Sequence, residues 1–428
     1  MTLASTARAP LEARRPWLDR FDGRAWIGLG LTIIAALIYW FSNREFDARH
    51  GDFFYLADAF LHGRTWIDYS AVPRGGIGFQ DLIPIGDRFY VPFGPFPAFV
   101  LMPIVAIIGP VTADQWESGI NATLAAIVVG LAWWLLGRIG VRRLLDRFLL
   151  VALLGFSTQI WWITTRGGVW HTGQLIATSL TLLCMIELTR ERPRALLIGL
   201  LAGFAFLSRA PVAFAFPAYA LLVAGDRIWE PRKWPWRAWF ELTVGVLPSI
   251  AFFFWYNLAR FGSPLESGYA LAALPAWLQA QRDLGLFSTA HIGMNVEYLF
   301  LRLPEPVRSL TELEFPFFRP SGLGMSIFFT SPGLLYALRA PWRASRSWWL
   351  LLAALIILIP TLLYYGGGWL QYGFRYALDS IPFIWLLCGL AAVKDDDEGD
   401  GMGWTWRFLI AFGVAVGAMG VYWAYNLF

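Results

Sequence analysis

Asp47 and Asp52 fall in the stretch Asn43-Arg-Glu-Phe-Asp47-Ala-Arg-His-Gly-Asp52, directly after an apolar run that ends at Phe41. A carboxylate just past the end of a membrane helix sits where water meets lipid headgroups. There it can serve as a general base and take the proton of an attacking hydroxyl. Position alone favours a blander reading, in which both are solvated loop acids. Arg166, Arg209 and Arg375 each stand at one end of an apolar run, and His171 follows Arg166 by five residues. Arginine offers phosphate a fork of donors and never loses its charge. Several of them converging on one membrane face would hold a lipid phosphate and stabilise it as a leaving group. The alternative is snorkelling, with each guanidinium lifting its own charge to the interface.

Other candidate chemistry is thin. No His-Glu-x-x-His or comparable spacing exists, so His50 and His171 read as hydrogen-bonding residues rather than metal ligands. Asp395-Asp-Asp-Glu398 is similar to the acidic metal-binding cluster of soluble sugar transferases, but no nucleotide-binding domain surrounds it. It reads as a solvated acidic loop. Gly75-Gly76-Ile-Gly78 and Gly366-Gly-Gly368 lack phosphate-loop spacing and read as turns. Cys184 and Cys388 are the two cysteines, each inside an apolar run, which excludes a disulfide framework or a cysteine-rich metal site.

The elements that must position these residues are hydrophobic. Of 428 residues, 57% are hydrophobic and 15% are charged. A soluble chain has about 45–50% and about 25%. The mean hydropathy is +0.52 and the pI is about 9.1. The formal charge of +4 comes almost entirely from arginine, since Lys233 and Lys394 are the only lysines. The arginines lie in short clusters between apolar runs, which is a membrane-topology signal and excludes a nucleic-acid face. Many of the 24 Trp stand near the ends of those runs, as in an interfacial belt.

Residues 1–24 form a polar, basic tail, expected in the cytoplasm. Residues 25–428 are expected to be one membrane domain. Apolar runs cover about 25–41, 91–109, 119–137, 148–164, 172–189, 195–208, 211–224, 239–257, 326–338, 348–365, 376–393 and 407–426. Several are shorter than the ~20 residues a straight span needs. The expectation is therefore an all-α polytopic protein with 11–13 transmembrane segments. Placing the basic connectors 190–194, 226–237 and 339–346 inside leaves 43–90, Arg166–Trp170, Arg209, 258–325 and 366–375 outside. The first outside loop holds seven acids, and Asp52–Leu61 within it reads as a short interfacial helix. Charge order requires a single crossing between that loop and Arg138–Arg147, yet two apolar runs lie there. The Pro-rich run 91–109 is thus expected to be re-entrant or broken.

The chain resembles the GT-C superfamily of integral-membrane glycosyltransferases, among them the protein O-mannosyltransferases and the lipid A aminoarabinose transferases. The resemblance lies in the acidic first outside loop, followed by Tyr90-Val-Pro-Phe-Gly-Pro-Phe-Pro97. Leu207-Ser-Arg-Ala-Pro211 is similar to a short helix break in those proteins. The segments Asn257-Leu-Ala-Arg-Phe-Gly-Ser-Pro-Leu-Glu-Ser-Gly-Tyr269 and Gly373-Phe-Arg-Tyr376, with Pro382, also match. This resemblance implies a polyprenyl-phosphate sugar donor, transfer on the outer face and no nucleotide. It implies Asp47 as the base, with Asp52 as second choice. It implies Arg209 and Arg375 at the donor phosphate, and Tyr269 and Tyr376 at the acceptor or donor. Arg166 and His171 join them on topology alone. Metal use in the superfamily is mixed, and no required metal or other cofactor is expected.

The expected function is transfer of a sugar to an acceptor hydroxyl of a cell-envelope glycan, lipid or protein. The preference for Arg over Lys fits a bacterial inner membrane. The rival reading is a transporter or flippase of lipid-linked glycans. That reading calls for ionisable groups in mid-membrane, where Asp379 is the main example.

Overall fold

In lipid, runs of about 20 apolar residues satisfy their backbone groups only as helices. The computed structural model describes residues 23–43, 50–68, 81–165, 167–309, 312–368 and 371–426. Within these, seven helices are long and apolar enough to cross a membrane. They are Gly23–Phe41, Glu117–Ile139, Val169–Leu188, Ala210–Trp229, Trp236–Phe261, Ser345–Leu363 and Trp404–Ala424. Four further helical segments accompany them: Leu144–Phe156 continued by Ile160–Thr164, Ala195–Ser208, Ile327–Thr330 continued by Pro332–Arg339, and Ile381–Asp397. The protein is an all-α polytopic membrane protein. Two small antiparallel β elements decorate one end. One is a three-stranded sheet in the order Ile67–Asp68, Arg88–Tyr90, Ile83–Ile85, and the other is the hairpin of Glu305–Ser309 with Glu312–Arg319.

Burial sorts the helices by position. Helix Gly23–Phe41 exposes Leu29, Ile33, Ile34 and Leu37, as a peripheral helix facing lipid would. Val169–Leu188 is the most enclosed of the seven. Its first turns therefore carry any polar group into the middle of the bundle. Two large polar-tipped rings in the core find backbone partners. The Trp385 indole donates to Leu150 O at 2.7 Å, and the Tyr39 hydroxyl donates to Gly155 O at 2.8 Å.

The run 91–109 behaves differently from the rest. Its helix, Phe96–Ile108, has 13 residues. That is about 20 Å of helix against about 30 Å of hydrocarbon. It begins beside Gly94, where a Cβ would lie 2.1 Å from Leu207 O, so only glycine permits the approach. It leads through Pro110–Gln115 back to Asp114, which packs against Gly51 and Tyr55. Both ends of this segment thus lie on the same side of the bundle as helix Asp52–Leu61, whose limits match the sequence expectation.

The opposite end gathers the basic connectors. Arg138 bonds Thr189, Arg190 and Arg194 bind Glu187, and Ser345 bonds Asp226. The acidic run at 395–398 lies here too; Asp397 and Glu398 are exposed as expected, but Asp395 and Asp396 are drawn out of solvent. Asp395 ends up buried in helix Ile381–Asp397, where it accepts from Arg339 at 2.8 Å and from the Tyr336 hydroxyl at 2.8 Å. Asp396 accepts from the Arg142 backbone N–H at 3.0 Å and pairs with Arg143 at 3.1 Å. Asp146 accepts from Met402 N and faces Arg407. A run of like charges is tolerated because each buried carboxylate meets its own arginine.

Candidate active site

The site is built where helices stop. Helix Ala195–Ser208 ends because Arg209 is extended (φ −147°, ψ 107°) and Pro211 follows. This break sets the Arg209 side chain against Asp379, with a closest contact of 2.8 Å and the Nε at 3.2 Å from both carboxylate oxygens. Asp379 closes the short turn Arg375–Asp379, which leads into helix Ile381–Asp397. The pair is well shielded, with the two side chains 15% and 1% exposed. Arg209 is therefore already neutralised, and its fork is occupied. Asp379 is likewise an ion-pair partner rather than a lone charge in the membrane, which removes the main sequence argument for a transporter.

Arg375 differs. Among the described residues its guanidinium forms no ion pair, and its buried Nε has no acceptor. Two aromatic faces flank it, Trp170 at 5.5 Å and Tyr376 at 5.3 Å from the guanidinium carbon, both within cation–π range. Tyr376 is shared, since Arg209 lies 5.6 Å from the same ring. The backbone of Arg375 is fixed on both sides. Gln174 donates to its carbonyl at 2.8 Å, and its own N–H donates to Gln371 at 3.1 Å. A cation held rigidly with unused donors is suited to an incoming anion.

Acids surround the same place. The Trp170 indole donates to Asp81 at 2.9 Å. Asp81 has φ +75°, a left-handed conformation that costs most side chains energy and is tolerated best by Asn and Asp. Burial raises the Asp81 pKa, against the opposing pull of the Trp170 bond and of the Arg375 and His50 charges. Asp52, in the first turn of its helix, is only 1% exposed, and one of its carboxylate oxygens has no partner among the described residues. Its pKa is pushed well above the ordinary carboxylate value, mainly by burial and further by the charges of Asp81 and Asp114. The Tyr55 hydroxyl is raised as well, by burial and by Asp114. Asp52 thus has the environment of a carboxyl made more basic by burial, as a general base requires.

Tyrosines complete the wall. Tyr269 meets Tyr364 edge-on at 6.3 Å, and Tyr364 meets Tyr376 at 6.2 Å. The segment leading to Tyr269 is held by Arg260, which bonds Val91 O and Asn257. The role of Arg260 is therefore positional. His171 is 4% exposed, with one ring nitrogen against Gly167 O and its ring edge-on to Trp162. It supports the first turn of Val169–Leu188. Asp47 and Arg166 lie outside the described residues. Among the described residues, no group of three or more His, Cys, Asp or Glu is arranged to hold a metal ion.

No family model matches the sequence, and no curated protein matches it. Among solved structures the chain is similar to the Archaeoglobus fulgidus oligosaccharyltransferase. The apo form aligns with 14% identity and TM-score 0.46, over 96% of this chain and 56% of that one. The complex with Zn and sulfate aligns with 15% identity and TM-score 0.47, over 92% and 52%. The complex with an inhibitory peptide and a dolichol-phosphate aligns with 15% identity and TM-score 0.43, over 96% and 56%. The chain spans about half the length of those structures.

Of the residues singled out in the sequence, Asp52, Arg209, Arg375, Tyr269 and Tyr376 are brought to one end of the bundle, with His171 beneath them. Sequence reasoning missed Asp81, Trp170 and the partnership of Arg209 with Asp379. A carboxylate 170 positions along the chain from its arginine leaves no spacing signal.

Proposed function

We propose that this protein transfers a sugar from a polyprenyl-phosphate donor to an acceptor hydroxyl at the outer face of a bacterial inner membrane, with the N-terminus in the cytoplasm. The observation that carries the reading is Arg375, a rigidly held arginine without a carboxylate partner among the described residues, set between Trp170 and Tyr376 within the same cluster as the buried Asp52 and the half-buried Asp81. Arg375 holds the donor phosphate and stabilises the charge that develops as the sugar–phosphate bond breaks. An acid of the first loop, Asp47 or Asp52, takes the proton of the acceptor hydroxyl. Arg209, neutralised by Asp379, positions Tyr376 and completes the wall of the phosphate pocket. Tyr269 and Tyr376 give the sugar or acceptor aromatic surfaces to pack on. The sequence resemblance to GT-C glycosyltransferases supports the donor class. The reaction in this reading requires no metal.

The test uses the purified full chain in proteoliposomes with radiolabelled polyprenyl-phosphate sugars and extracted envelope material as acceptor. The expected result is label in the acceptor fraction, kept in EDTA and reduced by about 10²–10³-fold in Arg375→Gln. Movement of intact labelled donor between leaflets, with no transfer and no effect of Arg375→Gln, identifies a flippase instead.

A further inference from the structure

The end of the bundle away from the site carries a second feature that the transfer reaction does not use. A cavity of about 560 Å³ opens between Ala210–Trp229 and the start of Ser345–Leu363, lined by Asp226, Trp229, Arg343, Ser345, Trp348 and Trp349. This volume is within the range of small-molecule sites. Its acid is engaged, because Ser345 donates to Asp226 at 2.8 Å and the Arg346 charge acts on the same carboxylate. Its base is not, because Arg343 is exposed and forms no ion pair among the described residues. The indole N–H of Trp349 and the Nε of the neighbouring Arg346 are buried without an acceptor. Unmet donors beside an unpaired cation call for an acceptor-rich anion.

The surroundings indicate where that anion comes from. Segments 225–237 and 339–346 hold seven Lys or Arg against two acids, an excess that the pairs Lys233–Glu230 and Arg339–Asp395 do not remove. Trp229 and Trp348 at the cavity, and Trp236 and Phe240 beside it, are exposed apolar side chains on the outer surface of the bundle. Tryptophan at this level marks the headgroup region. Basic pockets between membrane helices favour lipid phosphates. We propose that this cavity binds the headgroup phosphate of an anionic phospholipid, with Arg343 supplying the charge, the Trp349 indole N–H a donor, and Trp229 and Trp348 packing on the glycerol and upper acyl chain.

Native mass spectrometry of the delipidated full chain tests this, with phosphatidylglycerol and phosphatidylcholine added at equal concentration. Phosphatidylglycerol should be retained about tenfold better. Arg343→Gln should bring it to the phosphatidylcholine level, with unchanged thermal unfolding in the lipid-free state, since Arg343 is exposed. Arg142→Gln, which removes an exposed charge elsewhere at this end, should leave retention unchanged. Equal retention of the two lipids overturns the proposal, as does an equal loss in Arg142→Gln. Displacement of the lipid by millimolar inorganic phosphate also overturns it, because it identifies a free-anion site.

Discussion

The two ends of the bundle hold similar numbers of buried acids and treat them in opposite ways. At the basic end Asp395, Asp396 and Asp146 each meet an arginine or a backbone N–H. At the other end the buried Asp52 and the half-buried Asp81 have raised pKa values, while Arg375 has no carboxylate partner among the described residues. Had the fold needed only stability, Arg375 would be placed to neutralise one of these acids, as Arg209 neutralises Asp379. Charge kept apart at some cost marks a site that completes itself with a ligand. Charge brought together marks a joint between helices.

Four substitutions or conditions can break or sharpen that contrast. The largest effect is expected at the paired group within the site. Asp379→Ala strands the Arg209 guanidinium and should cost about 3–5 kcal/mol of stability, read as loss of folded protein on thermal unfolding in detergent. Arg209→Met with Asp379→Leu should recover most of it. Next, Arg375→Lys keeps the charge and loses the fork. Transfer should fall about tenfold or more while unfolding is unchanged. Asp395→Asn at the basic end should do the reverse, with about 1–3 kcal/mol lost and the rate per folded molecule kept. The smallest effect is in pH dependence. Because the Asp52 and Asp81 pKa values are higher folded than unfolded, the folded state binds more protons between those values. Stability should therefore decline as pH rises from about 4 through the raised folded values. Transfer should rise over the same interval, since the base must lose its proton. Asp52→Asn should flatten the stability slope, and an unchanged slope would show that Asp52 is not the titrating group.

Most of the helical layout was legible in the sequence because run length and arginine placement are local. Helices Asp52–Leu61 and Ala195–Ser208 have the limits that their residues imply. The break at Arg209 was legible from Pro211. The assignment of Asp395 as solvated was wrong for a physical reason. Its partners Arg339 and Tyr336 reach it from a different segment, and only the packing of Pro332–Arg339 against Ile381–Asp397 brings them together. The same holds at the site. Arg209 and Arg375 look equivalent in sequence, each standing at one end of an apolar run. What separates them is a single carboxylate, Asp379, four residues beyond Arg375 and bonded to the other arginine. Trp170 was invisible as a site residue because an aromatic at a helix start reads as interfacial belt, and its bond to Asp81 crosses 89 positions.

The central claim is that an acid of the first loop does chemistry rather than stabilisation. The direct measurement is transfer of labelled sugar from a polyprenyl-phosphate donor by Asp47→Asn and Asp52→Asn chains beside wild type, each checked for folding by thermal unfolding. At least one should lose transfer by about 10²-fold or more at unchanged stability. Wild-type transfer by both would contradict the claim.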